Sequence, residues 1–369
     1  MFNPLNFCFD FFCKKDDTLN PKYFKFEDKD EILTSMCIIN KKYLSIGKLD
    51  GNLIIYALNN NYKIYSNKFF NKSITCLMTY EENNSSFFAC SEEPIIKHLK
   101  IMLVKEKQEY IIQTIGYVKI HDSCTKIMKY LGNDTFASCS LDSSFAIWKL
   151  NKNNENNEIL KLKDQNFGIE NFFLKMKNNS FNSLITLNTK GGLSFYIKDK
   201  NNKPLLRNVI FDVDFTNSKS MIEIGDKLYI GGYNFLQIFS VKNMQLETKI
   251  KTEIPISYIY EQEHNTKFLI LGLKNGNLKF IEKKRLQLLK ENDIKKLEED
   301  SMDFRLSYLF KRGEAQVFKN ESIIACLIFD GKFICISDES IMVLNKNIIS
   351  NNSKKKYFNF FLKSYISFN

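Results

Sequence analysis

"FASCSLDSSFAIWKL", residues 136–150, holds the only tryptophan of the chain, Trp148, six positions after Asp142. The stretch reads as an apolar strand, a short polar turn and a second apolar strand, the pattern of a tight hairpin. A hairpin of two strands is too small to be stable alone. It therefore predicts neighbours of the same kind, and the rest of the chain supplies them.

Aligned on Asp142, seven segments share this grammar. They are "KYLSIGKLDGNLIIYAL" (42–58), "FFACSEEPIIKHLKI" (87–101), "TFASCSLDSSFAIWKL" (135–150), "SLITLNTKGGLSFYI" (183–197), "KLYIGGYNFLQIFSV" (227–241), "FLILGLKNGNLKFIE" (268–282) and "KFICISDESIMVLNK" (332–346). The turn positions are Asp50, Glu93, Asp142, Lys190, Tyr233, Asn275 and Asp338, spaced by 43, 49, 48, 43, 42 and 63 residues. Asp-Gly, Gly-Gly or Asn-Gly stands at or beside the turn in three copies, as a tight hairpin requires. Most units have a further apolar strand upstream, such as "TSMCIIN" (34–40), "ITCLMTY" (74–80), "CTKIMKY" (124–130), "ISYIYEQ" (256–262) and "IIACLIF" (323–329). Weaker fourth strands follow, such as "YKIYS" (62–66) and "EYIIQTI" (109–115). Four strands per unit at this spacing predict an all-β, seven-bladed propeller.

Composition agrees with that expectation. Among 369 residues are 33 Phe and 17 Tyr but only 5 Pro, and flat aromatic side chains favour pleated strands. The net charge of +11 permits nucleic acid, acidic proteins or anionic lipid as partners. Much of it sits in Asn/Lys runs such as "NKNNENNE" (151–158) and "NNSKKK" (351–356), which read as solvated loops. No apolar run has the length of a membrane-spanning helix. The aromatic N-terminus is interrupted by Asp10 and lacks a preceding basic residue, unlike a secretory signal. The nine cysteines contain no CxxC pair, so a reduced, intracellular protein is expected, cytoplasmic or nuclear. Cys90, Cys139 and Cys335 each lie three residues before a turn position, where other copies have Gly47 and Gly272. Cys37, Cys76 and Cys326 read as one slot of the upstream strand. Six cysteines are thus repeat features, and no metal site is expected.

The third unit resembles the WD40-repeat family through His121, "FASCS", Asp142 and Trp148. In that family a loop histidine, a strand serine, a turn aspartate and a tryptophan form a buried hydrogen-bond chain. The resemblance assigns these roles to His121, Ser138 (or Ser140), Asp142 and Trp148. It departs from the family at Ile120, where a glycine is usual, and at Lys149, where an aspartate is usual. The tryptophan position elsewhere reads Tyr56, Leu99, Tyr196, Phe239, Ile281 and Leu344. The repeats span roughly residues 30–346.

The expected organisation is an N-terminal extension (1–21), a propeller (22–348) and a basic, aromatic tail (349–369). "KYFKFED" (22–28) is favoured as the strand that completes the last blade, with "KKYFNFFLK" (355–363) as its competitor. The long spacing between the last two turns predicts a short helical insert, "KKRLQLLKENDIKKLEED" (283–300), rich in helix formers and without Pro or Gly. If it docks a partner, Lys283, Lys284 and Arg285 would attract it and Leu286 and Leu289 would bury the contact.

"LFKRGEA" (309–315) holds Phe310-Lys311-Arg312-Gly313, similar to the Phe-Arg-Arg-Gly motif of phosphoinositide-binding propellers. Here Lys311 replaces the first arginine, which weakens bidentate phosphate geometry, and six turn signals precede it where that family has five.

The function expected first is a non-catalytic scaffold that binds other proteins in a multi-subunit assembly. An RNA- or ribosome-associated propeller ranks second, and lipid binding through Lys311 and Arg312 ranks last. The chain has three histidines, no phosphate-cradling glycine loop and no nucleophile signature. No catalytic residue, cofactor or small-molecule substrate is therefore expected.

Overall fold

The computed structural model describes residues 22–25, 32–58, 62–80, 85–104, 109–150, 156–163, 167–177, 180–201, 203–211, 220–233, 235–252, 254–261, 268–282, 314–316, 321–329 and 332–345. Every regular element among them is a β-strand. The N-terminal strand is β1 (Lys22–Lys25). Blade one follows with β2 (Leu33–Ile39), β3 (Tyr43–Lys48), β4 (Asn52–Ala57) and β5 (Tyr62–Lys68). Blade two has β6 (Ile74–Met78), β7 (Ser86–Ser91), β8 (Ile96–Val104) and β9 (Glu109–Val118). Blade three has β10 (Thr125–Gly132), β11 (Thr135–Ser140), β12 (Ser144–Leu150) and β13 (Asn156–Lys163). Blade four has β14 (Ile169–Lys177), β15 (Ser180–Asn188), β16 (Gly192–Lys198) and β17 (Pro204–Phe211). Blade five has β18 (Met221–Ile224), β19 (Lys227–Gly231), β20 (Phe235–Ser240) and β21 (Gln245–Lys251). Blade six has β22 (Ile256–Glu261), β23 (Phe268–Leu273), β24 (Asn277–Glu282) and β25 (Glu314–Gln316). Blade seven has β26 (Ile323–Phe329), β27 (Lys332–Ser337) and β28 (Ser340–Asn345).

Each sheet is a four-stranded antiparallel meander in chain order, except the last, whose order is β1-β28-β27-β26. This is the architecture of a seven-bladed β-propeller. The chain divides into two compact units, one over Asp30–Ile259 and one joining the N-terminal strand to the chain from Tyr260 onward.

In the second of these units, β1 is the outer strand of blade seven. It pairs antiparallel with β28, from Lys22↔Val343 to Lys25↔Ser340. The place expected for the N-terminal strand is thus filled, within the narrower bounds Lys22–Lys25. The competing segment 355–363 and the helical insert lie outside the described residues.

The larger unit shows why the sequence folds this way. The first strand of blade one, β2, alternates, with every second residue buried. Second strands are buried almost throughout, as in β7 and β11, because a sheet lies on each face. Outer strands are mostly exposed, as in β21. Apolar clusters fill the space between successive sheets, with Leu53, Ile55, Phe87 and Leu99 joining blades one and two. Phe88, Phe136 and Trp148 join blades two and three. Neighbouring first strands are also stitched by polar side chains. Thr34 Oγ1 donates to the Ile74 carbonyl (2.5 Å), Thr75 Oγ1 to that of Thr125 (2.6 Å) and Lys129 Nζ to that of Phe172 (3.0 Å).

The glycine slot before the turn is as crowded as its residues suggest. A Cβ on Gly47 would lie 2.5 Å from Ile74 Cγ2, and one on Gly231 would lie 2.6 Å from Ile256 Cγ2.

Three expectations need correction. Cys37, Cys76 and Cys326 occupy three different slots. Cys76 pairs first beyond the register shift of its strand, as Ser35 and Ala325 do, whereas Cys326 lies one residue further and Cys37 two. Cys335 is likewise one residue out of phase with Cys90 and Cys139. Residues 156–158 of the Asn-rich run are not loop but the start of β13, held by pairing with β12. An outer strand can be polar because one edge faces solvent, so composition alone misassigned it. The turns of blades five and seven are one residue shorter than the others. Gly231 pairs with Leu236 and Ile336 with Ile341, so the symmetry point falls just after Tyr233 and Asp338.

Candidate functional site

Blade three carries a continuous polar chain through its interior. Trp148 Nε1 donates to Ser138 Oγ (3.1 Å), and Ser138 Oγ lies 2.8 Å from His121 Nε2. His121 Nδ1 lies 2.6 Å from Ser144 Oγ, and Ser144 Oγ donates to Asp142 Oδ1 (2.5 Å). One proton assignment with a neutral imidazole satisfies every group: Ser138 donates to Nε2, and the Nδ1–H donates to Ser144. His121, Ser138, Asp142 and Trp148 therefore lie on one path, with Ser144 between the imidazole and the carboxylate. His121 Nδ1 is 3.7 Å from Asp142 Oδ1, too far for a direct hydrogen bond. Ser140 has another task, accepting the Asp142 backbone N–H at 3.1 Å.

Asp142 gathers the turn around itself. Oδ1 also accepts the Ser144 N–H (2.8 Å), and Oδ2 accepts the Asp122 N–H (2.7 Å). Burial opposes its ionisation, but His121, Ser144 and the Asp122 N–H outweigh burial and hold the carboxyl well below the usual carboxylate range.

A serine beside a histidine beside an aspartate invites comparison with a hydrolytic triad. The geometry differs in two ways. The carboxylate reaches the imidazole only through Ser144, and His121, Ser138, Ser144 and Trp148 have essentially no exposed surface for a substrate. What the network does is tie the loop before β10 to the β11–β12 turn and to β12.

A second feature lies at one end of the larger unit. A four-stranded meander begins and ends on the same side, so each blade's second-to-third-strand turn shares that side with the links between blades. Backbone bonds join the two sets directly. Leu49 N–H donates to Ile32 O, Leu141 to Cys124 O, Thr189 to Gly168 O and Ile256 to Gly232 O (2.8–3.1 Å). On this side Ile32, Leu49, Ile95, Tyr117, Leu141 and Tyr233 are exposed, Leu49 to 47% and Tyr117 to 63%. The other exposed large apolar side chains described are Leu103, Ile111, Ile159, Leu205 and Leu246, on outer strands or at the opposite turns.

No family model and no curated protein matches this sequence.

The remaining residues expected at sites are placed as follows. Lys283, Lys284, Arg285, Leu286 and Leu289 of the insert, Lys311, Arg312 and the tail 349–369 lie outside the described residues. Among the described residues, no cluster of His, Cys, Asp and Glu could hold a metal ion. His98 is buried in β8, stacked on Phe88 at 4.5 Å and 3.2 Å from the Tyr80 hydroxyl. Two participants escaped sequence reasoning. Ser144 could have been found from its place two residues after Asp142, where an Asx turn presents an N–H and a side chain together. The exposed apolar residues could not, because an isolated Leu or Tyr in a turn carries no signal until the turns are brought to one side.

Proposed function

We propose that this chain is a WD40-like propeller and acts as a non-catalytic scaffold for other proteins within a larger intracellular assembly. The propeller architecture commonly serves that role, and function still has to be argued from a site. The observation that carries this reading is the set Ile32, Leu49, Ile95, Tyr117, Leu141 and Tyr233 on one side of the larger unit. Apolar side chains gathered on one side mark association surfaces more than the same number scattered singly would. The hydrogen-bond chain of blade three supports the reading as a brace, since a docking surface works best when its loops are preorganised. The His-Ser-Asp-Trp arrangement is also what the WD40 resemblance leads one to expect.

The test uses the full chain with Leu49→Ser, Leu141→Ser and Tyr233→Ser combined. These side chains are about a third to a half exposed, so only a small fall in melting temperature is expected. Affinity purification from the native cell should lose at least one partner retained by the parent protein. An unchanged partner list with no more than that small fall would overturn the reading. The insert forms part of the same proposal, through Lys283, Lys284, Arg285, Leu286 and Leu289. Replacing 283–300 by a short Gly/Ser linker should leave the fold intact and remove a partner.

A further inference from the structure

Blade two sets two cysteines face to face. Cys76 on β6 is the direct ladder partner of Cys90 on β7. Directly opposed residues of an antiparallel pair have Cα atoms about 4.5–5.5 Å apart, within the span of about 4.4–6.8 Å that a disulfide bridges. The two thiols shift each other's acidity, Cys76 downward and Cys90 upward. Cys90 is fully buried, whereas Cys76 is only partly so. Blade seven repeats the arrangement: Cys326 on β26 opposes Cys335 on β27, with sulfurs 3.1 Å apart, but both residues are buried. A directly opposed cysteine pair thus occurs once with one partly exposed residue and once with both residues buried.

We propose that Cys76 and Cys90 form a cross-strand dithiol that closes to an intramolecular disulfide by exchange with a low-molecular-weight disulfide such as oxidised glutathione. The Cys76 thiolate attacks one sulfur of the oxidant, breaking its S–S bond. A mixed disulfide forms on Cys76, and one small thiolate leaves and takes up a proton. Cys90 then gives up its proton and attacks Cys76 Sγ, forming the Cys76–Cys90 bond and expelling the second small thiol. The protein has lost two electrons and two protons, and one oxidant disulfide has become two thiols.

The order of attack follows from the surroundings. The Cys90 thiol donates toward Cys76, and this bond outweighs burial and lowers the Cys76 pKa. The same bond, together with burial, pushes Cys90 well up, so Cys90 stays protonated and is not the residue that attacks first. In blade seven burial pushes the Cys335 thiol well up, and no exposed sulfur offers a first contact.

The experiment takes the reduced full chain under native conditions with oxidised glutathione, followed by acid quench, alkylation and tryptic digestion. One tryptic peptide, residues 73–97, contains both Cys76 and Cys90. It should appear unalkylated and lighter by two hydrogens, and should form at least about tenfold faster than any Cys326–Cys335 bridge. Cys90→Ser should stop the reaction at a glutathione adduct on Cys76. Cys76→Ser should leave Cys90 unmodified. Alkylation of both cysteines of the 73–97 peptide after prolonged oxidation would overturn the proposal. Equal rates in the two blades would overturn it too, because opening of the sheets rather than access to Cys76 would then control the chemistry.

Discussion

The turns of blades three and four meet the same backbone requirement in different ways. Both are anchored to the preceding link, Leu141 N–H to Cys124 O (3.0 Å) and Thr189 N–H to Gly168 O (2.8 Å). In blade four a single side chain completes the turn. Asn188 Oδ1 accepts the N–H groups of Lys190 (3.0 Å) and Gly192 (2.8 Å), and Gly191 takes the left-handed conformation at φ 78°. In blade three the work is spread over Ser138, Ser140, Asp142, Ser144 and Trp148, and reaches back 23 residues from Ser144 to His121. The left-handed position there is held by Ser143 at φ 68°, where most L-residues are strained. A local amide closes a turn, while a long-range network also locks a loop to two strands.

The largest expected effect separates the two solutions at the tryptophan. Trp148 is fully buried, stacked on Phe136 with centroids 4.6 Å apart. Trp148→Ala should cost about 3–5 kcal/mol through the cavity and the lost donor. Trp148→Phe keeps most of the volume and removes the N–H, so about 1–3 kcal/mol is expected. Thermal or urea melts measure both. An unchanged midpoint for the phenylalanine variant would reduce the network to packing.

The next effect depends on pH. The Asp142 carboxyl titrates below its unfolded value, so its contribution is complete above the unfolded carboxylate pKa of about 3.9. It is lost as pH falls through the lower, folded value. Asp142→Asn should therefore destabilise by about 1.5–3 kcal/mol at neutral pH. Its deficit against the parent should shrink as pH drops below about 4. Equal deficits at pH 7 and at pH 3 would contradict the ionised turn.

Asn188→Ala, the matching change in blade four, leaves two turn N–H groups without their acceptor and should cost about 1–2 kcal/mol. An amide does not titrate, so this deficit should be the same across that pH range. The pair of pH profiles sharpens the contrast more than either midpoint alone.

The smallest effect has the opposite sign. Ser143→Gly should stabilise the protein by about 0.5–1 kcal/mol, because glycine adopts positive φ without steric cost. Gly191→Ala in blade four should lose a comparable amount. If Ser143→Gly were destabilising, the serine would be contributing more than its backbone strain costs.

Much of this was legible in the chain because it is written in local patterns. The hairpins centred on Asp50, Glu93, Asp142, Lys190 and Asn275 are symmetric in the ladder about those same residues. Except for Ser144, the path from Trp148 to Asp142 runs through residues named from one repeat. The errors have a common origin. Cys37, the strand at 156–163 and the shorter turns of blades five and seven are matters of register and edge pairing. Register is decided by a partner strand, and a shift of one or two residues leaves composition unchanged.

By itself, the sequence determined the number of blades, the order of their strands and which turn holds the polar network. Apolar alternation, turn residues and a repeat length act over a few neighbours, and those are contiguous in the chain. Tertiary structure decided the rest. It chose Ser138 rather than Ser140, inserted Ser144 between His121 and Asp142, set Cys76 against Cys90, and gathered Leu49, Tyr117 and Tyr233 on one side. Each of these depends on distances of a few ångströms between residues far apart in the chain. Only strand pairing and sheet packing determine such distances, because a backbone of soft dihedrals does not carry them from one segment to another.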